Sequence, residues 1–176
     1  MVAAVNEDIV TLYDLRIAAL WNGESYDDLP SEEKRKVVNQ LINRLLVYQE
    51  IIKTGKIVLD SGEVDENVSI IKNAKPHKYF SDAEIREHVK KQLLIRKFAY
   101  QRFGSLVRVN EEMIRKYYIE NFREDDEKES VLTPIIPKDV YERIKNILTE
   151  KEVNRLLSEW LEKQREASTI IISDNL

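Results

Sequence analysis

The chain contains no cysteine. Disulfides, thiol catalysis and cysteine-containing zinc sites are therefore excluded, while the compartment stays open, since a cysteine-free chain suits reducing and oxidising surroundings alike. Glycine and proline are scarce, at four each in 176 residues. So few breakers disfavour a turn-rich β architecture and favour long uninterrupted helices. They also leave no glycine-rich loop for a phosphate or nucleotide, and no G-x-S-x-G elbow occurs. No run of roughly 18 apolar residues appears, so no membrane insertion is expected. No secretory signal pattern is read in the chain.

What is present is a charged, core-forming composition. Hydrophobic residues make up 43% and charged residues 34% of the chain. This suits a folded protein with a charged surface rather than a disordered one. The net charge of −4 and pI near 5.4 supply no global attraction to nucleic acid, which is not expected as a partner.

Val2–Val5 and Ile9–Val10 flank Asn6-Glu7-Asp8 and read as two short strands around a polar turn. Thr11, with Asp14 three residues on, opens a first helix that ends near Asn22-Gly23. Pro30-Ser31 starts a second, running to Gly55. Its apolar residues Val37, Val38, Leu41, Ile42, Leu45, Leu46, Tyr48, Ile51 and Ile52 cover well over half its circumference, which predicts a central helix packed from several sides. A third helix is expected over Ser61–Ala74 and a fourth, boxed by Ser81 and Glu84, reaches Phe103 before Gly104. Asn110 caps a fifth over Glu111–Phe122. Residues 123–137 read as a charged loop, Pro137 opens a sixth helix to Leu148, and Thr149 with Glu152 starts a seventh to Ala167. Thr169–Ile172 reads as a last strand.

Residues that could carry chemistry are few. His77 and His88 have no second histidine or cysteine within a helical turn, so they read as surface or structural groups. The run Glu124–Glu127 reads as a solvated loop. Lys90-Lys91 and Arg96-Lys97 lie near Phe98, Tyr100 and Phe103, but such small basic patches in an acidic chain do not read as a nucleic-acid surface. No catalytic residue, metal ligand or cofactor site is assigned.

The apolar stripes are more informative. On the fourth helix Ile85, Val89, Leu93, Tyr100 and Phe103 share one side, and Leu94 and Phe98 lie roughly opposite. Met113, Ile114, Tyr117, Tyr118 and Phe122 form an aromatic arc on the fifth. Trp160, within Val153, Leu156, Leu157 and Leu161, reads as core. One stripe of the fourth helix faces the core, and the other is either covered or open to a partner. Leu94, Phe98, Tyr118 and Phe122 lie away from the expected core side and are the candidate peptide-binding residues.

Three stretches together resemble the SurA/PrsA-type extracytoplasmic folding factors. Val5–Ile52, with Leu41-Ile42-Asn43-Arg44-Leu45-Leu46-Val47-Tyr48-Gln49-Glu50, is similar to the amino-terminal strand-and-helix unit of that family. Phe80–Phe122, with Val109-Asn110-Glu111-Glu112-Met113-Ile114, resembles the segment leading into its parvulin prolyl-isomerase domain. Lys138–Ile172, with Glu152-Val153-Asn154-Arg155-Leu156-Leu157, resembles the helix and strand that return to complete the amino-terminal domain. The segment between Phe122 and Pro137 is far too short for a parvulin domain, so no isomerase residue carries over.

The resemblance implies a mainly α, SurA-like chaperone domain with a small sheet made by the two chain ends. It is read as one domain over 1–176, with 1–122 as the helical part, 123–137 as a loop in place of the isomerase, and 138–176 completing the domain. It further implies a periplasmic or otherwise extracytoplasmic location, an export signal on the precursor, and unfolded or outer-membrane-type polypeptides as partners. The expected function is non-catalytic chaperone-like binding through apolar helical surfaces. The alternative is a structural or assembly subunit that buries its stripes in a homodimer or a specific partner.

Overall fold

The computed structural model describes residues 1–55, 57–74, 79–122 and 135–173. The fold is mainly α, with a small antiparallel sheet built from both chain ends. Strands β1 (Ala3–Val5) and β2 (Asp8–Val10) form a hairpin, and β3 (Ile170–Ile172) pairs with the other side of β1. The helices are α1 (Leu12–Trp21), α2 (Ser31–Thr54), α3 (Ser61–Ala74), α4 (Asp82–Phe103), α5 (Glu111–Phe122) and α6 (Lys138–Glu166).

The chain divides into two units. The first combines Met1–Phe98 with Glu159–Leu176, and the second is Ala99–Ser158.

In the first unit the ends meet at Asn6. This residue turns the hairpin with φ 54°, a left-handed conformation that asparagine tolerates better than most residues. Its amide N–H donates to the Thr169 carbonyl at 2.8 Å, and its side-chain oxygen accepts from the Thr169 N–H at 3.0 Å. Its side-chain nitrogen donates to Gln49 Oε1 on α2 at 2.8 Å. Gln49 in turn donates to the Val5 carbonyl at 3.0 Å and to Asp8 Oδ2 at 2.7 Å. One side chain on α2 thus holds the hairpin that receives β3. Alternation along the strands buries Ala3, Val5 and Val10 and leaves the opposite sheet face, with Ile9 and Ile171, exposed.

Local signals start α1, α4 and α5 and stop α2 where the sequence indicates. Thr11 and Asp14 form a reciprocal capping box on α1. Ser81 and Glu84 do the same for α4, and Asn110 Oδ1 accepts from the Met113 N–H at 2.9 Å on α5. Gly55 ends α2 at φ 61°, where a side chain would be strained.

α2 is the expected central helix, burying Val37, Val38, Ile42, Leu46, Val47 and Ile51. Ile52 departs from its expected core role and is 79% exposed, because it lies one residue past the buried row that ends at Ile51. α3 and α4 pack as a pair over Val64, Ile85, Val89 and Leu93, with Trp21, Leu59, Val68, Ile71 and Phe80 against them. Ion pairs Glu63–Lys97 (2.6 Å), Asp65–Arg86 (2.5 Å) and Lys72–Asp82 (2.6 Å) join the same two helices. Each such surface pair is worth about 0–1 kcal/mol, so the apolar seam decides the pairing. The end of α6 joins this unit through Trp160, whose ring lies 5.1 Å from that of Phe98. Arg165 reaches α2, donating to Asn43 and Asn39 at 2.6 Å each.

Phe98 corrects the sequence expectation. It is 4% exposed and belongs to the core, because Trp160 covers the side of α4 that was expected to be open. A second correction concerns the carboxy-terminal region, where one helix replaces two. No glycine or proline interrupts 138–166, and Glu152 pairs with Arg155 at 2.6 Å instead of boxing Thr149. A capping sequence marks a start only where the chain has reason to stop.

The second unit buries Ala99, Phe103, Ile114, Ile144 and Val153. Residues 123–134, most of the expected loop, lie outside the described residues, as do Glu124–Glu127 and His77.

The Asn6 junction predicts an ordered pair of variants. Asn6→Gly keeps the backbone conformation but removes the side-chain bonds, and is expected to cost about 0.5–1.5 kcal/mol. Asn6→Ala loses the same bonds and adds left-handed strain, for about 1–2 kcal/mol more. Urea unfolding followed by circular dichroism checks this, and equal losses for the two would remove strain from the account.

Candidate functional site

A cleft of about 350 Å3 opens in the first unit between β2, α1, α2 and α4. α1 contributes Tyr13, Ile17 and Trp21, spaced four residues apart and so aligned on one face. α2 contributes Leu41, Leu45 and Tyr48 by the same periodicity, with Arg44 beside them. Those three apolar residues belong to the stripe expected to lie in the core, but they are only half-buried, because the cleft lies against that side of α2. α4 contributes Glu84, Glu87, His88, Lys91 and Gln92, and Ile9 and Phe80 complete the wall.

Aromatic stacking shapes part of that wall. Trp21 lies 3.9 Å from the Phe80 ring at 4° and 3.9 Å from the His88 ring at 18°. These three rings join α1 to the start and middle of α4.

Electrostatics at the rim are asymmetric. Hydrogen bonds from the Ser81 hydroxyl and amide hold the Glu84 carboxyl below its ordinary range. Lys90, bonded at 2.6 Å, does the same for Glu87. Burial pushes the Tyr48 phenol up to about 12, with nearby Arg44 opposing the rise. Among the described residues no group of three or more His, Cys, Asp or Glu side chains is placed to hold a metal ion. No described helix is long and apolar enough to cross a membrane.

The four candidate peptide-binding residues are divided between the units. Leu94, half-buried, and Phe98, buried, lie in the first. Tyr118 and Phe122 lie in the second, where they stack at 6.0 Å and 8°. Phe122 is 40% exposed, and Arg143 lies 5.9 Å over its ring. Tyr117 is 6.4 Å from Phe122 and has Lys151 4.7 Å over its own ring. The basic patches on α4 are partly consumed by pairing, since Lys90 holds Glu87 and Lys97 holds Glu63. The cleft itself was missed in the sequence. The signal available was the Tyr13, Ile17, Trp21 spacing on α1, which lies on the same helix as the buried Leu15 and Ala19 but at a different angle.

Two predictions follow from these placements. Phe98→Ala is expected to destabilise the fold by about 3–5 kcal/mol and Phe122→Ala by far less, which thermal melts of the two variants would rank. The raised Tyr48 phenol means that the folded state holds this proton more tightly than the unfolded chain does. Its contribution is complete below pH of about 10 and is lost as pH rises toward 12. Tyr48→Phe should remove that part of the alkaline decline, and superimposable wild-type and variant stability curves over this range would contradict it.

Comparison of the chain with protein-family models and with curated proteins finds no match in either.

Proposed function

We propose that this protein is a non-catalytic, chaperone-like module that binds unfolded polypeptides outside the cytoplasm, in the manner of the SurA/PrsA-type factors but without their isomerase domain. The observation that carries the reading is the open cleft of the first unit. Its walls combine apolar and aromatic side chains from β2, α1 and α2 with a mostly polar face of α4, and its edge residues Ile9 and Tyr13 are 58% and 66% exposed. Isolated exposed apolar residues are ordinary, but a cluster continuous with an apolar cleft is what a polypeptide-binding surface requires. The family part of the reading is further supported by the pairing of β1 with β3, since both chain ends that carry the resemblance contribute to one sheet.

The binding step needs no chemistry. An apolar client side chain gains about 25 cal/mol for each Å2 removed from water, and ordering the flexible client gives part of that back. Binding of this kind is weak and reversible, and release needs no nucleotide.

A second reading is favoured by the outer sheet face, where Ile9 and Ile171 are both more than half exposed. A homodimer or a specific partner could bury this face, making the protein an assembly subunit. Light scattering of the purified chain separates the readings, because a stable dimer that suppresses no aggregation supports the second.

The test of the first reading is client aggregation. Wild type should suppress aggregation of a chemically unfolded client in proportion to its concentration. Ile9→Ser with Tyr13→Ser should weaken suppression several-fold with little change in melting temperature, because both side chains are exposed. Unchanged suppression by the double variant would remove the cleft from the mechanism. In a proline-limited refolding assay, substoichiometric protein should leave the rate unchanged.

A further inference from the structure

We infer that β3 is a self-association edge, at which a second copy of this chain adds its own β3 antiparallel and extends the sheet across a two-fold axis.

The strand order β2-β1-β3 leaves β3 with one unpaired side. The hydrogen-bond phase fixes which groups stand there. The Asn6 N–H donates to the Thr169 carbonyl and the Ser173 N–H donates to the Val2 carbonyl, both at 2.8 Å. Successive residues of a strand turn their backbone groups to opposite sides, so Thr169, Ile171 and Ser173 face β1. Ile170 and Ile172 therefore turn their N–H and C=O groups outward, where no described backbone group meets them. The other edge offers less. On β2 only Ile9 points outward, because Asp8 and Val10 face Val5 and Ala3, and α1 begins at Leu12.

Edge strands are commonly guarded by a charge, a proline or a bulge. β3 has none of these, since its register on β1 is unbroken and its sequence is Ile-Ile-Ile. Residues 167–173 carry no charge at all, in a chain of which 34% of residues are charged. Short uncharged stretches rich in β-branched residues are the ones that pair with copies of themselves. Ile172 is 40% exposed although Ala3, directly opposite it, is fully buried. The core is thus closed over β1 and open at β3.

A second copy fits every group at this edge. A two-fold axis at Ile171 places Ile170 opposite Ile172 of the second copy, and Ile172 opposite its Ile170. The outward N–H and C=O groups then meet in reciprocal hydrogen-bonded pairs. Ile171 meets its own counterpart on the outer face, at a non-hydrogen-bonded position where Cα atoms lie about 4.5 Å apart. A client segment of arbitrary sequence brings no such match of isoleucine on isoleucine. Three residues per copy bury less than the roughly 1,200 Å2 of a stable interface, so the association is weak and reversible. It stops at the dimer, because pairing uses up the edge. The cleft has β2 in its wall, across the sheet from β3, and neither Ile171 nor Ile172 lines it.

Sedimentation velocity of the full chain tests this between about 1 μM and about 1 mM. Monomer is expected at the low end, with dimer and nothing larger appearing toward the high end. Ile172→Pro removes an outward N–H while keeping the bonds to β1, and should raise the dissociation constant at least about tenfold with little change in melting temperature. Ile171→Lys sets like charges opposite each other and should do the same. Either variant carries the comparison if the other melts early. The chain has no cysteine, so single cysteines report the register. Ile171→Cys should form an intermolecular disulfide about tenfold faster than Ile9→Cys, although Ile171 and Ile9 are 56% and 58% exposed.

A chain that stays monomeric at every concentration overturns the self-pairing, and so does assembly beyond a dimer. A dimer that Ile172→Pro leaves intact and Ile9→Lys abolishes also overturns it, and places the contact on the outer sheet face. A monomer whose suppression of client aggregation is lost in Ile172→Pro gives the edge to a client strand instead of a second copy. Polypeptide binding at the cleft stands or falls by the variants of Ile9 and Tyr13, whichever way the dimer result goes.

Discussion

The first unit depends on a junction in which one asparagine serves three partners. Asn6 turns the hairpin, bonds to Gln49 on the central helix, and receives the strand that arrives from the other end of the chain. None of these bonds is strong alone, since a net hydrogen bond contributes about 0.5–1.5 kcal/mol. Their importance is geometric. The register of a three-residue strand is poorly fixed by its own ladder, and a slip by one residue would turn Ala3 and Val5 outward. Reciprocal bonds between Asn6 and Thr169 leave β3 one register on β1.

The cleft follows from how this register places the helices. α1 leaves the hairpin at Val10, so its direction is set by the sheet, and its capping box fixes its first turn. α2 is held against the same hairpin through Gln49. α4 is positioned independently, by its apolar seam with α3 and by the stack of Trp21 between Phe80 and His88. The faces of α1, α2 and α4 that line the opening are half-buried or exposed rather than filled by another element. A binding surface can be built this way without glycine loops, metal ligands or a reactive nucleophile. Its components are ordinary helix faces that the fold leaves uncovered.

Local chemistry was legible in the sequence, and the pairing of helix faces was not. Thr11 with Asp14, Ser81 with Glu84, Asn110, and Gly55 each marked a helix boundary by a mechanism acting within four residues, and the structure has those boundaries. The closing of the sheet by both chain ends was also anticipated. The failures share one cause. Whether Phe98 is buried depends on Trp160, sixty-two residues away, and periodicity within α4 carries no information about that neighbour. Ile52 and the Leu41, Leu45, Tyr48 face fail alike, because a wide apolar arc shows that much of a helix can be buried without showing which part is. The Thr149 box misled for a different reason, since propensity for a start is overridden where the residues before it already continue a helix.

Sequence separation divides the first unit into a local part and a late part. All residues lining the cleft lie between Ile9 and Gln92, and their helices succeed one another along the chain. The sheet is different, because Asn6 and Thr169 are 163 residues apart. In a flexible chain, bringing such distant residues together costs about 4–5 kcal/mol from the length term alone. That cost is recovered only by the whole contact made when the chain returns, including Trp160 on Phe98 and Arg165 on Asn39 and Asn43. The returning segment therefore acts as a lock on a helical arrangement specified nearer the start of the chain. It buries the side of α4 at Phe98, leaving the side at His88 and Lys91 to line the cleft. The burial of α4 on its Phe98 side is thus completed by the returning end of the chain, although the residues lining the cleft lie within the first ninety-two.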